Sequence, residues 1–230
     1  MASLASASRE KGHHANAIRL YRRCIELAPS NASYYVRLAN LYNAIDMPGE
    51  AETVLWQGVI NAQSLLMITR TLADTLFRQG KYHSALKLYY EAIELSKPRQ
   101  PAVAVYHGIA KSNLEIGDYT QSEKYFRIAM SRSDNPWVYY DYSDLKVRTG
   151  DYLSAIEALD IALGGSFFPD RSLRDIVVRR KAGVMFDYAE ILYKRKNKSE
   201  ARIMLSKIVE NAELADTYAG KKATFFIDRW

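Results

Sequence analysis

Leu72-Ala73-Asp74-Thr75-Leu76-Phe77-Arg78-Gln79-Gly80-Lys81-Tyr82-His83-Ser84-Ala85-Leu86-Lys87-Leu88-Tyr89-Tyr90-Glu91-Ala92 decides the fold. A glycine separates two apolar-patterned segments. A small residue, Ala85, follows it by five positions, a large one, Tyr89, four later, and a small one, Ala92, three after that. The same phrase recurs along the chain. Gly12 precedes Ala17, Gly117 precedes Ser122 and Gly150 precedes Ala155. Two segments keep the phrase without the glycine: Asp46-Met47-Pro48 before Ala51, and Lys196-Asn197-Lys198 before Ala201. The small markers at 17, 51, 85, 122, 155 and 201 are spaced by 34, 34, 37, 33 and 46 residues. A fixed period of this length marks a stack of supersecondary units, none of which can bury its apolar face alone.

The other columns agree. The large position holds Tyr21, Leu55, Tyr89, Phe126, Leu159 and Leu205, and the second small position Cys24, Gly58, Ala92, Ala129, Ala162 and Ile208. Ahead of four of these turns lies an apolar-small pair: Leu38-Ala39, Leu72-Ala73, Ile109-Ala110 and Tyr188-Ala189. This 34-residue pattern resembles the tetratricopeptide repeat over about residues 2–215. Small residues let helix backbones approach, and the large one fills the space beside them. Ser143 in the fifth repeat and Ile208 in the sixth depart from the pattern, and tighter packing is expected there. The resemblance implies an all-α, right-handed superhelical solenoid of about six helical hairpins plus a C-terminal capping helix.

Proline placement agrees independently. Pro29, Pro98, Pro101, Pro136 and Pro169 fall where one repeat hands over to the next, and Pro48 falls in the first turn of a second helix, where a missing N–H costs little. The chain reads as a single solenoid over 1–230 with repeats at about 1–31, 32–65, 66–99, 103–136, 136–169 and 182–215. Residues 170–181 extend the first helix of repeat six, and 216–230 form a last helix whose Tyr218, Phe225, Phe226, Ile227 and Trp230 pack on that repeat. The first repeat starts almost inside its first helix, as expected of a piece cut from a longer array.

Composition narrows the function. The chain has 230 residues, enough for a substantial core, and no apolar run approaches a membrane span. Its N-terminus lacks the basic start and apolar stretch of a signal peptide, so the chain as given reads as cytoplasmic, or periplasmic or otherwise placed if it is a fragment. Cys24, the one cysteine, sits in a packing slot and reads as an inert buried thiol. No phosphate loop, paired-cysteine motif or nucleophile elbow occurs. His13 and His14 fall in a turn and do not share a helix face. No enzyme activity, cofactor or metal is expected. The sequons Asn31-Ala32-Ser33 and Asn197-Lys198-Ser199 read as chance occurrences.

Charge is uneven. Residues 1–170 balance 18 Lys+Arg with 18 Asp+Glu, whereas residues 171–230 hold 14 against 8, the whole excess of the +6 chain. A basic edge of Arg179, Arg180, Lys181, Lys194, Arg195, Lys196 and Lys198 is expected there, facing an acidic protein, an anionic membrane surface or RNA. The missing base-reading column argues against nucleic acid, and a membrane contact is the weaker alternative.

The resemblance further implies that fixed positions on each first helix face the concave groove. Carried over, these are Asn40, then Arg70, Asp74 and Phe77, then His107 and Lys111, then Trp137, Tyr140 and Asp144, then Phe186 and Tyr193. Aromatic anchors with mixed charge suit a protein contact surface. The lysine and arginine clamp with which some family members grip chaperone tails is not matched: Asn40 fits, but Val36, Thr71, Ala104 and Gly108 stand at the other positions. The expected function is a non-enzymatic scaffold taking a partner peptide or helix. The alternative is an assembly segment of a larger complex, with self-association through terminal repeats.

Overall fold

The computed structural model describes residues 1–164 and 171–230, and among these every regular element is a helix. Six successive pairs are α1 (Ala2–Glu10) and α2 (His14–Leu27), α3 (Ala32–Ala44) and α4 (Pro48–Asn61), α5 (Leu65–Arg78) and α6 (Tyr82–Ser96), α7 (Val103–Ile116) and α8 (Tyr119–Met130), α9 (Pro136–Arg148) and α10 (Tyr152–Gly164), and α11 (Arg171–Lys194) and α12 (Lys198–Glu210). The short α13 (Ala212–Ala215) and α14 (Tyr218–Phe226) follow. The expected handover at Pro169 lies outside the described residues. Among the described residues no helix is long and apolar enough to cross a membrane.

The turn inside each pair has one construction. The residue five before the marker is left-handed: Gly12 at φ 74°, Gly80 at 74°, Gly117 at 89° and Gly150 at 78°. In the two repeats without glycine, Asp46 at φ 60° and Lys196 at 64° take the same conformation. Each turn is closed by an N–H reaching back five residues, such as Lys81 to Leu76, Met47 to Tyr42 and Asn197 to Leu192. This is the double closure that satisfies the orphan carbonyls of a helix end. A left-handed side chain costs roughly 1–2 kcal/mol, so Asp46→Gly is expected to raise the thermal midpoint by a gain of up to about 1 kcal/mol, after glycine's extra chain entropy. Gly80→Ala should lose about 1 kcal/mol, although a Cβ there meets nothing within 4 Å. A neutral result for both would remove backbone strain as the reason for this glycine.

Burial follows the sequence columns. Ala17, Ala51, Ala85, Ser122, Ala155 and Ala201 are fully buried, as are Tyr21, Leu55, Phe126, Leu159 and Leu205 in the large column. The serines in small slots find acceptors. Ser122 Oγ donates to the Ala110 carbonyl of α7 at 2.9 Å, and Ser143 Oγ to the Tyr140 carbonyl of its own helix at 2.6 Å. Ile208 is completely buried beside Ala182 and Leu205. Both departures from the repeat pattern therefore sit inside the packing.

The chain forms two compact units, Met1–Tyr125 and Phe126–Trp230. In the first, each hairpin packs on the next, and first helices also touch directly, α3 on α5 and α5 on α7. Tyr35, Leu38, Leu41, Leu55, Ile68, Leu72 and Ile109 fill this layer. Within it lies a buried polar link: Asn43 Nδ2 donates to Thr75 Oγ1 at 2.8 Å, and Arg78 donates to the Asn43 carbonyl at 3.1 Å.

In the second unit, the 24-residue α11 serves two clusters. Leu173 and Val177 pack with Ala155, Leu159 and Ala162 of α10. Val178, Ala182, Met185, Phe186 and Ala189 pack with α12 and the segments after it. Asn31, Asn135, Asn197 and Thr217 cap α3, α9, α12 and α14 by accepting from backbone N–H groups. Both sequon asparagines are thus helix caps.

Candidate partner-binding surface

In the first unit, α5 and α7 bring the expected residues of repeats three and four together. Asp74, Phe77, Arg78, Tyr89, Ala104, His107, Gly108 and Lys111 line a cleft of about 250 Å³. At its base Tyr89 Oη donates to Asp74 Oδ1 at 2.6 Å, a short bond as expected for a hydroxyl on a carboxylate. Tyr89 can reach because its ring lies over Gly108, where a Cβ would come within 2.2 Å of the ring. Burial pushes the Asp74 carboxyl above its usual range, against the opposing pull of the Tyr89 hydroxyl and the charges of Arg70, Lys111 and His107. Burial likewise raises the Tyr89 hydroxyl, and the Asp74 charge adds to it. Lys111 Nζ stands 5.0 Å from the centre of the Phe77 ring. Arg70 Nε is buried without an acceptor among the described residues. Asn40 is exposed on α3.

The sequence placed Arg70, Asp74, Phe77, His107 and Lys111 on this face but read Tyr89 as packing only and Gly108 only as a mismatch to the chaperone-tail clamp. The signal was there: Tyr89 is the one residue of the large column paired with a glycine on the next first helix, three residues from Lys111 in the helical register.

In the second unit, Trp137 is 39% exposed and meets Tyr140 edge-on at 5.6 Å. Asp144 accepts from Arg148 at 2.9 Å and from Arg180 at 2.7 Å. Phe186 and Tyr193 differ from the open positions that the register implies. Phe186 is buried against Phe226 and Trp230, and Tyr193 stacks on Trp230 at 4.7 Å. The packing of α14 and the residues after it covers them, which helical register alone does not show.

The expected basic edge also divides. Arg180 pairs with Asp144 and Lys181 with Asp160, and Arg179 bonds the Asp175 carbonyl of its own helix. Lys194, Arg195, Lys196 and Lys198 are exposed at the α11–α12 turn.

Helix pairs packed through small-residue contacts, with first helices carrying mixed charge and aromatics, define a helical-repeat protein. Family models described as tetratricopeptide repeat match residues 64–135 and 1–31. The chain thus carries tetratricopeptide repeats over these two stretches. Its fold is similar to that of PilW, described as a widely conserved type IV pilus biogenesis factor, with 13% identity over 97% of this chain and 96% of that one and a TM-score of 0.71. It is also similar to Pseudomonas aeruginosa PilF, with 17% identity over 97% and 95% and a TM-score of 0.65. A third likeness is YrrB, described as a TPR protein with an unusual peptide-binding site, with 10% identity over 91% and 98% and a TM-score of 0.58. Comparison with curated protein sequences gives no match. Proteins of this repeat family generally bind protein partners and are generally not enzymes.

Proposed function

We propose that the chain is a non-catalytic scaffold that takes an extended segment or helix of a partner protein along the layer of first helices in its first unit. The observation that carries this reading is the cleft over Asp74 and Tyr89, ringed by Arg70, His107 and Lys111 and walled by Phe77. A buried donor without an acceptor costs about 1–3 kcal/mol. A partner carbonyl or carboxylate that engages the Arg70 guanidinium recovers part of that. Phe77 and the Lys111 stem supply apolar contact beside the charge.

Affinity capture with the full chain supplies a partner, and a double substitution then tests the site. Arg70→Ala/Lys111→Ala, with its helical signal and unfolding midpoint checked, should bind at least about tenfold more weakly, the loss of a contact worth more than about 1 kcal/mol. Undiminished affinity in the folded variant overturns the assignment. In the second unit, Trp137→Ala/Tyr140→Ala tests the exposed aromatic pair in the same way.

The second reading is an assembly module within a larger complex. Near end-to-end coverage of both this chain and PilW, described as a type IV pilus biogenesis factor, favours it. Light scattering after size exclusion separates the two. A monomer that binds partner peptide supports the first, and concentration-dependent self-association supports the second.

A further inference from the structure

We propose that the α11–α12 turn and the outer face of α12 form a separate docking site for an acidic peptide that carries an apolar side chain between its carboxylates. Residues 194–202 hold five cations, Lys194, Arg195, Lys196, Lys198 and Arg202, and one acid, Glu200. All five cations are exposed, and no ion pair engages them among the described residues. Four of the other nine cations of the C-terminal 60 residues are matched elsewhere: Arg174 with Glu213, Arg180 with Asp144, Lys181 with Asp160 and Lys221 with Asp216. The α11–α12 turn therefore holds the densest run of cations without an ion pair in this segment.

That edge is not flat. Ala201, Met204, Leu205 and Ile208 turn one face of α12 into the core. Its opposite face gives Ser199, Arg202, Ile203 and Ser206 to a cleft of about 630 Å³, closed by Lys198 and the Trp230 indole. Ile203 is 52% exposed within it. Lys198 Nζ is held 5.1 Å over the Tyr193 ring, which itself stacks on Trp230, so the cation is anchored at the rim. Two cations and two hydroxyls around an apolar floor match carboxylates flanking one aliphatic side chain. A bilayer surface fits less well, because Ile203 is the one large apolar side chain exposed on this face of α12. Nucleic acid fits less well because the Trp230 ring is engaged with Tyr193, Phe186 and Phe226 and offers no open stacking platform.

The test uses the full chain and a fluorescein-labelled Asp-Glu-Asp-Leu-Asp-Glu peptide, read by anisotropy. Binding is expected with a Kd on the order of 10 μM. It should weaken as ionic strength rises from about 0.01 M to about 0.15 M, over which the screening length falls from roughly 30 Å to roughly 8 Å. The Asn/Gln form of the peptide should not bind, and the form with serine for leucine should bind several-fold more weakly. Lys198→Glu/Arg202→Glu should lose at least about tenfold in affinity, whereas Lys11→Glu/Lys87→Glu, an equal charge change on exposed positions of the first unit, should retain it. The proposal is overturned if Lys198→Glu/Arg202→Glu keeps full affinity with an unchanged helical signal, or if the distant pair loses as much. It is also overturned if vesicles of phosphatidylcholine with phosphatidylserine, or a single-stranded RNA, bind at this edge while the peptide does not.

Discussion

Replacing Gly108 with alanine is expected to weaken the first unit by about 2 kcal/mol, the reverse of the usual result in a helix interior. On α7 the same change would ordinarily gain about 1 kcal/mol from helix propensity. Here the added Cβ would sit 2.2 Å from the Tyr89 ring, against a normal carbon contact of roughly 3.5–4.0 Å. The ring cannot swing aside cheaply. It is 2% exposed, and its hydroxyl is tied to Asp74. Leucine stands at the equivalent position in repeats two, five and six, as Leu55, Leu159 and Leu205. Tyr89→Leu should therefore recover part of the loss in the Gly108→Ala background, though it is destabilising alone. Urea midpoints of the two single variants and the double variant give the coupling. Strictly additive losses would mean that ring and glycine do not constrain one another.

Tyr89→Phe should cost about 1–3 kcal/mol at neutral pH, because it leaves a buried carboxylate one hydrogen bond short. The effect carries a pH signature. In the folded protein burial holds the Asp74 carboxyl above its ordinary range. Asp74 therefore favours the folded state most when protonated, and that contribution is lost as pH rises through its raised value. The Tyr89 hydroxyl opposes this upward shift, so removing it raises the carboxyl further. The penalty should be largest at neutral pH and shrink toward about pH 4, where the unfolded chain also binds the proton. Urea midpoints at the two pH values check this. An equal loss at both would mean that the hydroxyl does not serve the charged form of Asp74.

The repeat was legible because its packing rules are local. Alanine or another small residue at a helix crossing leaves a mark at fixed spacing, and the same columns are the fully buried residues of the structure. Even the glycine-free turns could be placed, since Asp46 and Lys196 occupy the left-handed slot that the register demanded. What the sequence left open depends on partners far along the chain. Arg180 and Lys181 looked like part of a basic edge, yet their acids, Asp144 and Asp160, lie 36 and 21 residues earlier on other helices. Phe186 and Tyr193 faced the right way by register, but nothing periodic announces that Phe226 and Trp230 lie across them. Tyr89 showed its size at once. Its hydroxyl had a meaning only after α5 and α6 were folded against each other.

The hydrogen bond from Asn43 to Thr75 bears on whether these hairpins are interchangeable. An interface made only of alanine and leucine accepts many neighbours, and its units could be duplicated or shuffled at little loss. A buried amide on α3 that needs a hydroxyl on α5 does not allow this. Hairpin two joined to any hairpin without a hydroxyl at the Thr75 position would leave a donor stranded in the apolar layer. That polar contact makes hairpin three the required successor of hairpin two.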